Sequence, residues 1–124
     1  MIRIDYQDKR PIYEQVTEKL QNLIVRGVLE ADTKLPSVRS YAIELSINPN
    51  TIQRAYAELE RTGFIYTVKG RGNYVAEKKI WMGNEQSNAI SDLEKAILQA
   101  KELGISKEEI LISVENTYKK GREE

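Results

Sequence analysis

The chain has 124 residues, 19 basic and 19 acidic side chains, and neither cysteine nor histidine, which leaves room for one small domain and an appendage. Without Cys or His, thiol nucleophiles, disulfides, imidazole acid–base catalysis and zinc sites built on sulfur or imidazole are excluded, and no metal or other cofactor is expected. No apolar run approaches the roughly 20 residues that span a bilayer, and Met1-Ile2-Arg3-Ile4-Asp5 lacks the apolar centre of a secretion signal, so the expectation is a cytoplasmic protein with no membrane partner.

Residues 1 to 9 alternate Ile2, Ile4 and Tyr6 with Arg3, Asp5 and Gln7, the pattern of a short strand or extended arm. Pro11 opens a first helix that places Ile12, Val16, Leu20, Leu23 and Ile24 on one face and ends at Gly27. Gly27 to Lys34 reads as a turn-rich connection. Pro36 and Ser37 then mark the start of a second, short helix with Val38, Ala42 and Leu45 as its buried line and Arg39 on the other side.

After Ser46-Ile47 a third helix is predicted, because Asn48 is a good N-cap and Pro49 suits the first helical position. Ile52, Ala55, Tyr56 and Leu59 recur at three- and four-residue spacing and give it one buried face. Its first turn stays free and carries Asn48, Asn50, Thr51 and Gln53, with Arg54 beside them. Asn and Gln amides suit adenine edges and Arg suits guanine, so this turn has the chemistry for a DNA major groove. Two short helices joined by a few residues, the second offering its N-terminus, form a helix-turn-helix.

Beyond Gly63 the period changes to that of strands. Phe64 to Val68 and Asn73 to Ala76 flank the turn Lys69-Gly70-Arg71-Gly72, a hairpin that forms a wing after the helix-turn-helix. Lys69 and Arg71 place cations between glycines that let backbone approach a phosphate or a narrow minor groove. From residue 34 to 72, six basic residues (Lys34, Arg39, Arg54, Arg61, Lys69, Arg71) face three acids (Glu44, Glu58, Glu60), a local charge of +3 on a neutral chain. That surplus fits a phosphate-facing surface.

Four runs carry a resemblance: Leu35-Pro36-Ser37-Val38-Arg39, Asn48 to Tyr56, Leu59-Glu60-Arg61-Thr62-Gly63, and Gly70-Arg71-Gly72-Asn73-Tyr74-Val75. In order and spacing they resemble the N-terminal winged helix-turn-helix of GntR-family bacterial transcription regulators, over residues 9 to 77. The resemblance implies that Ser37 and Arg39 meet DNA from the second helix and that Asn48, Asn50, Thr51 and Gln53 face the major groove. It further implies that Arg54 reaches phosphate and that Lys69, Gly70 and Arg71 lie at the wing tip. Two departures stand out: Ser40-Tyr41 where the family usually has an acidic residue and Leu, and Asn73 where it usually has Thr.

After the wing, Glu77-Lys78-Lys79 is expected to break the strand pattern and Gly83 to Asn88 to form a polar connection. From about Asn88 a helix with Ile90, Leu93, Ile97 and Ala100 on one stripe runs to Leu103-Gly104. Ser106 and Glu109 make a capping box for a last helix lined by Ile110, Leu111, Val114 and Tyr118. The expected fold is therefore mainly α with a small β-hairpin: a winged helix-turn-helix DNA-binding domain over residues 1–77, then a C-terminal α-helical hairpin, a two-helix dimerisation tail, over 78–124.

Those two tail helices have apolar faces and no separate core to hide them in. Either they fold back on their own winged domain or they pack on a second copy, and a two-fold dimer would read two half-sites about 34 Å apart. Within the GntR family a short two-helix tail, here including Ala100-Lys101-Glu102-Leu103-Gly104-Ile105-Ser106, looks like the YtrA-type subfamily, whose tail is associated with dimerisation. A helical hairpin cannot by itself wall off the several hundred Å³ typical of a drug-sized pocket, so any small-molecule effector is expected at a dimer interface.

The leading expectation is a homodimeric, sequence-specific repressor on a pseudo-palindromic operator in double-stranded DNA. The alternative is a winged-helix protein-interaction module without DNA binding. An enzyme is a poor fit, with no catalytic residues to name: the adjacent carboxylates Glu108-Glu109 and Glu123-Glu124 read as helix N-terminal charge and a frayed end.

Overall fold

A computed structural model describes residues 2–123, with side chains as far as Gly121; Met1 of the arm and the Glu123-Glu124 carboxylates lie outside the described residues. The chain divides into two compact units, Met1–Asn84 and Glu85–Glu124.

In the first unit, Pro11 leads into α1 (Ile12–Val25), which buries Val16, Leu20 and Ile24 and half-buries Ile12 and Leu23. Helix α2 (Val38–Leu45) is capped by Ser37, whose Oγ accepts the Ser40 N–H at 3.1 Å, and it ends on Ser46 in the left-handed region. Helix α3 (Pro49–Arg61) is capped by Asn48, whose Oδ1 accepts the Asn50 N–H at 2.8 Å, with Pro49 opening the helix. The predicted face of α3 is the centre of the unit: Ile52, Ala55, Tyr56 and Leu59 are all buried, and α3 packs against α1, α2 and the wing.

Strands β1 (Ile65–Val68) and β2 (Gly72–Val75) pair antiparallel in the register Ile65↔Val75 to Val68↔Gly72. The loop Lys69-Gly70-Arg71 is closed by the Arg71 N–H on the Val68 carbonyl at 2.9 Å. Gly70 has a φ of 80°, so its lack of a side chain is what the turn requires.

The N-terminal arm forms no strand among its described residues. It is extended and held by the buried Gln15, whose Oε1 accepts the Asp5 N–H and whose Nε2 donates to the Asp5 carbonyl, both at 2.9 Å. A side-chain amide here does what a neighbouring strand would do for one residue. The Gly27–Lys34 segment is also more than a connection. Lys34 bridges Tyr74, the Val75 N–H donates to Thr33 O, and the Leu35 N–H donates to Asn73 O, each hydrogen bond at 2.9 Å. This adds a short third rung to the wing, over too few residues to show a period of two.

The largest departure from expectation follows the wing. The strand pattern ends before Glu77-Lys78-Lys79 as expected, but helix α4 then runs unbroken from Lys78 to Glu102, 25 residues, through the predicted polar connection at Gly83–Asn88. Its first turns are anchored on the winged unit. Trp81 is 4% exposed and stacks on Phe64 with centroids 5.5 Å apart, and Asn84 Nδ2 donates to the Thr62 carbonyl at 2.9 Å. Gly83 costs a helix about 1 kcal/mol, and a buried tryptophan outweighs that. The polar residues that suggested a loop are a solvated helix surface.

In the second unit, α4 ends at Glu102 and Gly104 turns the chain at a φ of 82°. Helix α5 (Lys107–Glu123) starts with the Glu109 N–H donating to Ser106 Oγ at 3.1 Å, the predicted cap. An open groove of about 640 Å³ lies between the two helices, lined mainly by Leu93, Ile97, Ala100, Ile110, Val114 and Tyr118. The hairpin thus borders a drug-sized volume along two sides. Among the described residues no helix is long and apolar enough to cross a membrane.

Candidate nucleic-acid interface

The site begins with what α3 leaves uncovered. Its core face is 0–2% exposed, so its register is fixed, and its N-terminal turn projects the other way. Asn48, Asn50 and Gln53 are exposed and Thr51 is half-buried. Pro49 cannot donate a backbone hydrogen bond and Asn48 takes up the Asn50 N–H, so the helix start is satisfied without any partner from the rest of the chain. Helix α2 packs on α3 and carries Arg39 exposed in its first turn, beside the exposed cap Ser37. A hydrogen bond from the Tyr56 hydroxyl to the Pro36 carbonyl, 2.8 Å, pins the approach to α2 onto α3.

The wing supplies the second part. Lys69, Gly70 and Arg71 are all exposed at its loop. Its outer face is stiffened by the stacked rings of Tyr66 and Tyr74, 5.6 Å apart, and by the Tyr66 hydroxyl donating to Asp32 Oδ1 at 2.7 Å, a bond that pushes the Tyr66 phenol pKa up. The Asn73 departure is accommodated within the strands, where Thr67 Oγ1 donates to Asn73 Oδ1 at 2.8 Å.

Not all the local cations are equally available. Arg61 binds Glu58 (Nε to Oε2, 3.0 Å), which holds the Glu58 carboxyl below its ordinary pKa. Arg54, expected to reach phosphate, lies with its guanidinium carbon 3.8 Å from the Tyr13 ring centroid, a cation–π contact from α3 to α1. Tyr13 had no signal in the sequence, since only the packing of α1 on α3 brings it there. Among the described residues none of the ion pairs involves Lys34, Arg39, Lys69 or Arg71. Arg54 is likewise outside those pairs and exposed, its contact being with a neutral ring. In the tail, Ile90, Leu93, Ile97, Leu111, Val114 and Tyr118 are exposed, and Ala100 and Ile110 are half-buried.

The family model for bacterial regulatory proteins of the gntR family matches residues 12–75, which is the helix-turn-helix with its wing. The chain belongs to the GntR family. It is similar along nearly its whole length to the HTH-type transcriptional repressor YtrA of Bacillus subtilis, at 38% identity over 112 residues covering 89% of this chain and 86% of that one. This GntR-family regulator is therefore of the YtrA type. Among solved structures, a GntR family transcriptional regulator from Listeria monocytogenes is 45% identical with a TM-score of 0.62, covering 88% of this chain and 96% of that one. The DNA-binding domain of AraR, solved in complex with operator ORE1, is 28% identical with a TM-score of 0.53 and covers 61% of this chain and 93% of that one. The regulator's tail is shared with the first two and lies outside most of the third match.

Proposed function

We propose that this regulator is a homodimeric repressor that binds a pseudo-palindromic operator, with one winged head on each half-site. The observation that carries the reading is the division of α3: Ile52, Ala55, Tyr56 and Leu59 are sealed in the core while Asn48, Asn50 and Gln53 stand exposed on the first turn. Arg39 and Gln53 read base edges, Asn50 and Thr51 contribute further groove contacts, and Lys69 and Arg71 engage the backbone from the wing. The AraR domain, similar over the head, is a structure with operator DNA, and the YtrA repressor is similar through the tail; both support the assignment.

Dimerisation through the tail is supported by its exposed apolar side chains, Leu93 at 49%, Ile97 at 38% and Val114 at 42% among them. A row of this kind on a soluble chain marks a surface that another surface covers. Two copies also supply the two heads that a palindrome needs.

The test is a gel shift with the promoter region of the regulator's own gene. Arg39→Ala and Gln53→Ala should each lose a base contact, about 1–3 kcal/mol or roughly 5- to 150-fold in affinity. Sedimentation should show a dimer that Ile97→Glu dissociates. Unchanged affinity in both head variants would remove the reading surface, and a wild-type monomer that still binds a full operator would remove the tail's role.

A further inference from the structure

We infer that Lys34, which precedes α2 and lies outside the helix-turn-helix and the wing loop, is a third phosphate-binding cation of the wing. This inference rests on the DNA-binding reading above. The bridge between Lys34 and Tyr74 lays the segment Thr33-Lys34-Leu35 along β2, so a residue distant in sequence from the wing tip becomes part of the wing.

The side chain then runs toward the tip. It crosses Gly72, where a Cβ would meet Lys34 Cε at 3.1 Å and Lys34 Nζ at 3.9 Å. The φ of 124° at Gly72 disfavours any side chain, and its absence leaves room for the end of Lys34 over the backbone there.

Lys34 is exposed, and beside the glycine backbone lies the end of its side chain. Its position is one residue along the chain from Arg71 and across the turn from Lys69, with no carboxylate partner among the described residues. Three cations from two separate segments thus gather at the loop end of one hairpin. Exposed cations outside any ion pair of the described residues fit the phosphates of a nucleic-acid backbone, and as point charges lysines would contribute affinity without sequence preference.

The experiment is fluorescence anisotropy with two labelled duplexes, the regulator's own promoter region and a short mixed-sequence control, titrated at several salt concentrations with wild type, Lys34→Gln, Lys34→Arg and Gln53→Ala. Removing one phosphate contact lowers the slope of log affinity against log salt by about 0.9 per head. The advantage of wild type over Lys34→Gln should therefore shrink about 3.5-fold per head when salt rises fourfold, on both duplexes alike. Lys34→Arg should restore the slope, while Gln53→Ala should lose affinity on the promoter duplex alone with its slope kept.

A structural role for Lys34 would lower the melting temperature and leave the salt slope unmoved, and that result overturns the inference. So does a Lys34→Gln slope equal to wild type with binding otherwise steeply salt-dependent, which leaves the DNA-binding reading standing. Wild-type affinity that is negligible and insensitive to salt overturns both.

Discussion

Tyr41 is wholly buried, and its hydroxyl is the one buried side-chain polar atom among the described residues with no hydrogen-bond partner. Its neighbour Tyr56, 6.5 Å away between ring centroids, donates to Pro36 O instead. Leaving a hydroxyl buried and unpaired costs about 1–3 kcal/mol. Tyr41→Phe keeps the ring and its packing, and the void left by one oxygen, ~12 Å³, costs only ~0.3 kcal/mol. The substitution should therefore stabilise the winged unit by about 1 kcal/mol or more, raising its melting temperature by about 4–8 °C per kcal/mol. Thermal unfolding followed by near-ultraviolet circular dichroism measures it, with a urea titration as a check that the slope is unchanged. Operator affinity should stay at the wild-type value, since Tyr41 faces the core. A loss of 1 kcal/mol or more would mean that the hydroxyl is bonded in solution and would refute the reasoning.

The same ring predicts an alkaline limit. Burial, with help from Glu44, pushes the Tyr41 phenol up to about 12, and burial, with Tyr41 and Glu44, pushes Tyr56 up as well, from the ordinary 10.0. The unfolded chain ionises these phenols first, so stability that is complete below pH 10 should fall as pH climbs through the interval to 12, and Tyr41→Phe should soften that fall in denaturant titrations at stepped pH. Gly83 sits exposed inside α4, and a Cβ there meets nothing within 4 Å. Gly83→Ala should thus gain about 0.5–1 kcal/mol in helix stability, where a true loop at this point would leave the melting temperature unmoved. Gln15→Ala removes both amide bonds to Asp5, about 1–3 kcal/mol of stability in all, and limited proteolysis should then cut the arm before the head; an arm as resistant as in wild type would show that the packing of Ile2 and Ile4 and the Lys19 bond to the Arg3 carbonyl suffice to hold it.

The head was legible because its signals are local. Asn48-Pro49 marks a helix start whatever surrounds it, the Ile52, Ala55, Tyr56, Leu59 spacing is a helical stripe, and Lys69-Gly70-Arg71-Gly72 can only be a turn. What stayed hidden depends on partners far apart in the chain. Gln15 carries no signal of its own in the sequence, and only the arm returning to Asp5 gives it a buried role. Arg54 looked like a free cation until α1 brought Tyr13 beneath it. The start of α4 was misread because Gly83, Asn84 and Asn88 have weak helix propensity, and propensity yields to tertiary anchors such as Trp81 on Phe64. For Tyr41, a comparison with the family's usual Leu marked the position, but its orphan hydroxyl needs the packed core to be seen.

Two of the predicted DNA-binding residues turn out to have prior commitments, and this changes how the interface must be probed. Ser37 Oγ and Asn48 Oδ1 each hold a helix N-terminus, by accepting the Ser40 and Asn50 N–H groups. Losing such a cap costs about 1 kcal/mol before any DNA is present. Asn48 Oδ1 keeps a second lone pair and its NH₂ is unused, but the cap bond fixes the direction in which the amide points, so any base contact it makes is tied to the helix start. Gln53 and Arg39 carry no such duty: their side chains make no hydrogen bond within the described chain and stand exposed near the starts of their helices. A weakened Ser37 or Asn48 variant therefore confounds a loosened helix with a lost contact, whereas Arg39 and Gln53 report on recognition alone. Caps and unbonded polar side chains thus occupy separate positions, so a substitution at Arg39 or Gln53 leaves both helix starts intact.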